Sequence, residues 1–303
     1  MTLSKIKLAH QGPQVSRIAL GFWRLADWRI SRIMLTKMIE ACLDWGLTTF
    51  DHADIYGDYS CENLFGAAFA ETSCQREKIQ LVTKCGIKLV SENRPAHAIK
   101  HYDTSKAHIK ASVENSLKML RTHYIDLLLI HRPDPLMNVN EMGEAFTELK
   151  QAGKVQHFGV SNFTPAQFES LAAGLDFPLV TNQVEFSLMN MDVLYDGTVD
   201  LCQRLHISPM AWSPFGGGRL FRENSEQANQ LRKVLSSIGE QLDGASMEQV
   251  ALAWILHHPV RIIPILGTGK MERIKSAVQA EKLQLSREQW FAIWSAAMGK
   301  EVP

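Results

Sequence analysis

Ile125-Asp-Leu-Leu-Leu-Ile130, followed at once by His131, is a short apolar run of the kind that forms a strand covered on both faces. A helical pattern comes next, and Val155-Gln-His-Phe-Gly-Val160 then repeats the arrangement, ending in Ser161 and Asn162. The alternation extends in both directions. Leu47-Thr-Thr-Phe50 and Ile79-Gln-Leu-Val-Thr83 lie upstream, and a run near Arg17 to Gly21 opens the series. Leu179-Val-Thr-Asn-Gln-Val184, Ile207-Ser-Pro-Met-Ala-Trp212 and Arg261-Ile-Ile-Pro-Ile265 lie downstream. Strands that alternate with helices predict an α/β protein. Eight of them favour a closed (β/α)8 TIM barrel over its rival, an open doubly wound sheet.

Helix starts are marked between the strands. Thr164-Pro-Ala-Gln167, Ser246-Met-Glu-Gln249 and Ser286-Arg-Glu-Gln289 each place a hydroxyl at the cap and a glutamine three residues on. Lys5-Ile-Lys-Leu and Val15-Ser-Arg-Ile flank Gln11-Gly12-Pro13 and read as an N-terminal β-hairpin, while Arg287 to Ala297 reads as an extra C-terminal helix. No linker or low-complexity stretch divides the chain, so residues 1–303 are expected to form a single domain. The connections Ile87 to Asp103 and Pro214 to Asn224 are long. In a barrel, such loops after strands belong to the catalytic face.

Hydrophobic residues make up 46% and charged residues 21% of the 303 positions, which fits a protein with a substantial core. Lys+Arg and Asp+Glu both number 32, giving no basic excess for a nucleic-acid partner. The start of the chain lacks the pattern of a secretory signal, no apolar run is long enough to span a membrane, and the five cysteines are scattered. These features predict a cytoplasmic protein with reduced thiols.

Each apolar run ends in a residue able to do chemistry. Asp51 follows Phe50, Lys84 follows Thr83, His131 follows Ile130, Ser161 and Asn162 follow Val160, Gln183 lies late in its run, and Trp212-Ser213 closes another. In a barrel these strand ends surround one site. A tyrosine is too weak an acid for efficient proton transfer at neutral pH, but a neighbouring ammonium such as Lys84 is expected to lower its pKa. Asp51 would hold that lysine charged, and His131 could donate a hydrogen bond to a carbonyl oxygen.

Asp51-His-Ala-Asp-Ile-Tyr56-Gly57, Lys84, Leu127-Leu-Leu-Ile-His131-Arg-Pro, Gly159-Val-Ser161-Asn162-Phe163 and Asn182-Gln183-Val-Glu185 together resemble the aldo-keto reductase superfamily. The likeness runs from about residue 15 to 280. With Ala211-Trp-Ser-Pro214 and Gly216-Gly-Gly-Arg-Leu220, it is nearest to the bacterial YdhF-like members. The resemblance implies an NADPH-dependent reduction of an aldehyde or ketone by direct hydride transfer, with no metal. Tyr56 would be the general acid, Lys84 and Asp51 would tune it, and His131 would position the carbonyl. Ser161, Asn162 and Gln183 would bind the nicotinamide carboxamide, with Trp212 stacked on the ring. Ser213, Gly216, Gly218 and Arg219, with Gly267, Thr268, Gly269 and Lys270, would hold the pyrophosphate and 2′-phosphate. Arg273 matches the family arginine for the 2′-phosphate. Two positions depart from the pattern: Gly267 stands where many relatives have a phosphate-binding lysine, and Ala277 where many have an adenine-contacting asparagine.

Trp23, Trp28, Arg132 and Phe215 are the expected substrate-pocket residues, and the family implies a monomer acting on a small carbonyl compound. Other readings compete. Some barrels of this family are cofactor-binding regulatory subunits with little turnover, and an intact tetrad does not distinguish them. Asp51-His-Ala-Asp54 and His97-Ala-Ile-Lys-His101 look superficially like metal sites but lack a third ligand at suitable spacing. No GxGxxG, Walker A or GxSxG motif occurs, which argues against a Rossmann site, an NTPase and a serine hydrolase.

Overall fold

Eight parallel strands hydrogen-bond in a closed ring in the computed structural model, which describes residues 2–303. In chain order they are Ala19–Gly21, Thr49–Asp51, Gln80–Cys85, Ile125–Ile130, Val155–Ser161, Leu179–Glu185, Met210–Trp212 and Ile263–Leu266. Neighbours in the ring are neighbours in sequence, and the eighth strand closes on the first through Ile265 opposite Ala19. The barrel is therefore a (β/α)8 barrel, as the alternation predicts. Several runs start later than their apolar patterns, notably Met210 rather than Ile207.

The predicted hairpin is present. Lys5–Lys7 pairs antiparallel with Gln14–Ser16, with Ile6 opposite Val15. It caps the N-terminal end of the barrel: Leu8 accepts from Ser208 N–H, Ser4 accepts from Arg17 N–H, and the Ser16 hydroxyl accepts from the amides of Thr48 and Thr49. Arg17 is buried there and donates to the carbonyls of Ile262 and Leu256. Burial pulls its guanidinium down to about 10. With that end closed by hairpin and polar plug, the opposite mouth is the one open to a ligand.

All three capping boxes form, at Thr164, Ser246 and Ser286. The extra C-terminal helix spans Arg287–Met298 and docks through Trp290, whose ring stacks on Trp254 at 4.8 Å. Each indole N–H donates to the other residue's carbonyl at 3.1 Å. A helix that the apolar periodicity did not single out, Glu226–Gln241, packs against this C-terminal helix. The long connection after the third strand carries a small antiparallel pair, Ile87–Lys88 with His101–Tyr102. The connection after the seventh strand carries a glycine turn and a short helix, Arg219–Arg222. Among the described residues, no helix is long and apolar enough to cross a membrane.

Candidate active site

The ends of five strands bring their polar residues into one hydrogen-bonded chain. Lys84 Nζ is buried and donates to both carboxylate oxygens of Asp51 at 2.8 Å, to the His52 carbonyl at 2.7 Å and to the Tyr56 hydroxyl at 3.1 Å. Gln183 Nε2 donates to Asp51 Oδ1 at 2.8 Å. The Gln183 carbonyl accepts from Ser161 Oγ at 2.8 Å, and Asn162 Nδ2 donates to Ser161 Oγ at 2.8 Å and to the His131 carbonyl at 3.3 Å. Asn162 Oδ1 finally accepts from Trp212 Nε1 at 3.0 Å. Tyr56, Lys84, Asp51, Gln183, Ser161, Asn162 and Trp212 thus form a continuous line, although 156 positions separate the first from the last.

Charge and burial set the acid–base character. Burial raises the Tyr56 phenol, and the Lys84 ammonium opposes the rise without reversing it. The expectation that Lys84 would bring this tyrosine below its ordinary value is therefore corrected: desolvation of the phenolate outweighs the ion. At neutral pH Tyr56 keeps its proton. Burial alone would lower Lys84, but Asp51 and Tyr56 outweigh it and hold the ammonium above its ordinary range. Burial and the nearby Lys84 and Arg132 charges keep His131 far below the usual imidazole value, so it is neutral. Its ring meets Tyr56 edge-on at 5.8 Å, and its buried Nδ1 has no hydrogen-bond partner.

The backbone is strained where these groups sit. Gly57, Asp58 and Tyr59 are all left-handed, at φ 55°, 53° and 66°, so the chain turns sharply directly after Tyr56. Each non-glycine residue in that region costs roughly 1–2 kcal/mol. The connection after the third strand holds the turn: Tyr59 Oη accepts from Leu89 N–H at 2.8 Å, and Asn93 Nδ2 donates to the Asp58 carbonyl at 3.0 Å. Asp58, Tyr59 and Asn93 escaped the sequence reading, and the Gly57-Asp58 pair after Tyr56 was the only local sign of a turn. Asn162 and Ser213 are likewise left-handed, at φ 61° and 52°. Such strain concentrates where the surrounding structure fixes functional groups.

Two loops on the same face suit phosphates. Gly216, Gly217 and Gly218 all have positive φ, and a Cβ on Gly216 would collide with Met189. Arg219 is tied to this turn through the Gly216 and Met189 carbonyls. Gly267 to Lys270 leads into helix Met271–Gln279, whose first turn has no side-chain cap and therefore leaves N–H groups free. Lys270 and Arg273 are exposed there, and nothing lies within 4 Å of where a Gly267 side chain would begin. A glycine turn, an uncapped helix start and the exposed cations Lys270 and Arg273 suit a dinucleotide's phosphates.

The four expected pocket residues differ in setting. Trp23 is exposed, with Arg24 over its ring. Arg132 lies 5.7 Å from the Trp212 ring, and Phe215 packs beside Phe221. Trp28 packs against Gly269, where any Cβ would sit 2.6 Å from the indole, so it braces the loop after the eighth strand. His52 is sandwiched by phenylalanines, stacked on Phe22 at 4.8 Å, with neither ring nitrogen bonded. His97 and His101 bond to the carbonyls of Leu89 and Ile99.

A profile of the Aldo/keto reductase family matches residues 17–297. The chain is 50% identical over 301 residues to the oxidoreductase YdhF of Escherichia coli, covering 99% of this chain and 100% of YdhF. It is 43% identical over 290 residues to the 6-dehydroglucose reductase of Agrobacterium fabrum, covering 95% and 96% of the two chains. Among solved structures, the thermostable aldo-keto reductase Tm1743 in complex with the inhibitor epalrestat superposes with a TM-score of 0.83 at 27% identity, covering 97% of this chain and 100% of that one. The parallel barrel, the polar chain at its open mouth and these likenesses together establish that this chain is an oxidoreductase of the aldo/keto reductase family, whose general activity is carbonyl reduction.

Proposed function

We propose that the protein reduces an aldehyde or ketone to the alcohol with NADPH, using Tyr56 as the general acid. The observation that carries this reading is the Tyr56 hydroxyl, protonated at neutral pH and 3.1 Å from a Lys84 ammonium that Asp51 grips with both oxygens. Reduced nicotinamide, when bound, supplies the hydride to the carbonyl carbon. Tyr56 gives its proton to the carbonyl oxygen, and Lys84 stabilises the phenolate left behind. Neutral His131 donates a hydrogen bond that orients the carbonyl. Ser161, Asn162 and Gln183 hold the carboxamide, Trp212 supports the ring, and Ser213 to Arg219 with Gly267 to Gly269 take the pyrophosphate. Lys270 and Arg273 take the 2′-phosphate, with Lys270 replacing the charge absent at Gly267.

No step in this scheme needs a metal. The enzyme is proposed to act as a cytoplasmic monomer on a small carbonyl compound. Trp23, Phe215 and Arg132 line the approach, favouring an aromatic or an anionic substrate. A relative named for 6-dehydroglucose argues for including polyhydroxylated carbonyls in a screen. Titration with NADPH and NADH, followed by tryptophan fluorescence, tests the cofactor assignment. Quenching that saturates at lower NADPH than NADH, together with multiple turnovers of a reactive aldehyde, is expected. Absence of binding by either nucleotide would overturn the reading.

A further inference from the structure

Behind the tyrosine turn lies a second cavity of about 330 Å³, and neither Tyr56, Lys84 nor His131 lines it. Three segments build its wall: Asp54 from the loop after the second strand, Lys88, Arg94 and His97 from the connection after the third, and Ser112 and Asn115 from helix Lys106–Met119. Asp54 is only 6% exposed, yet its Oδ1 has no hydrogen-bond partner. Burial, reinforced by the charge of Glu62, holds this carboxyl well above the usual carboxylate range.

Two cations, Arg94 and Lys88, share the wall. Arg94 stacks over Tyr59 at 4.4 Å and gives one N–H to the Asn93 carbonyl, leaving most of its planar fork for another acceptor. Lys88 is held in place by Asp103 at 3.2 Å. His97 uses Nδ1 on the Leu89 carbonyl. The lining thus combines the cations Arg94 and Lys88 with Asp54, Ser112 and Asn115, which exchange hydrogen bonds with hydroxyls.

We propose that this cavity binds a small oxyanion that also carries a hydroxyl group, with the oxyanion on Arg94 and Lys88 and the hydroxyl on Asp54, Ser112 and Asn115. The site is separate from the cofactor loops, where Arg273 lies. Calorimetric titration with glycerol 3-phosphate and, separately, with D-glycerate tests it and distinguishes a phosphate from a carboxylate ligand. At least one is expected to bind in a single class of site. Arg94→Gln should weaken that binding about tenfold or more, the loss of one charge-assisted contact. Lys88→Gln should weaken it in the same direction, and Arg273→Gln should leave it unchanged. Loss of binding through Arg273→Gln but not Arg94→Gln would put the anion in the cofactor loops and overturn the proposal. So would the absence of any binding of either probe at millimolar concentration. Because the readout is binding rather than turnover, these outcomes are independent of the reductase reading.

Discussion

Gln183 Nε2 donates to Asp51 Oδ1 at 2.8 Å, joining the sixth strand to the second across the barrel. The carboxylate that grips Lys84 is thereby oriented by the same side chain that is proposed to meet the nicotinamide carboxamide. On the proposed reading one residue supports both the proton donor and the cofactor, and its replacement should disturb both. Gln183→Leu is expected to lower the rate of the chemical step about tenfold and also to weaken cofactor binding, since a buried carboxylate oxygen loses its donor. Single-turnover kinetics and a fluorescence titration read the two effects separately. An unchanged chemical step would show that Asp51 needs no such support.

Tyr56→Phe removes only the proton proposed to be transferred. Reduction should fall by roughly 10²–10⁴-fold while NADPH affinity stays within a factor of about two. Comparable turnover in the variant would defeat the assignment of Tyr56.

Arg273→Gln should discriminate between the two nucleotides. Charge-assisted bonds to a 2′-phosphate are each worth about 1.5–3 kcal/mol, so the dissociation constant for NADPH should rise about tenfold or more while that for NADH holds. Equal losses for both would move Arg273 away from the 2′-phosphate.

Arg132→Leu tests the substrate side. Arg132 lies near the Trp212 ring but outside the hydrogen-bonded chain. Cofactor affinity should persist while preference shifts from anionic towards apolar aldehydes. Collapse of cofactor binding would place Arg132 in the wrong role.

Glu62 provides a prediction for stability. It is buried against Thr83, whose hydroxyl donates to Oε1 at 2.6 Å, and burial pushes its pKa up to about 7. The folded value thus exceeds the ordinary carboxyl value of about 4.3 found in an unfolded chain. The folded state binds the extra proton, so stability falls as pH rises from the unfolded value towards 7 and levels off above it. Glu62→Gln keeps an acceptor for Thr83 and removes the titration. Its advantage over the wild type should grow by on the order of 2–3 kcal/mol between pH 4.5 and pH 8, read from urea unfolding. A difference that does not change with pH would mean that Glu62 is ionised in the folded protein.

The barrel and the order of the polar groups at its mouth were legible in the chain because strand ends and apolar runs are local signals. Apolar runs such as Ile125 to Ile130 give the strands, the capping boxes at Thr164, Ser246 and Ser286 give helix starts, and Asp51, Lys84, His131 and Asn162 fall at the strand ends that a parallel barrel gathers at one mouth. Other features depend on distant packing. The sign of the Tyr56 shift follows from how deeply the hydroxyl is buried, a quantity no spacing encodes. The fold also sets Trp28 against Gly269, some 240 positions away in sequence, a contact that no local pattern signals. The cavity that Asp54 shares with Lys88, Arg94 and Asn115 exists only because a loop, a long connection and a helix meet. Local sequence determined which groups are available and on which elements they sit. Only tertiary packing decided their desolvation and their partners, because both depend on atoms brought close by the closure of the barrel.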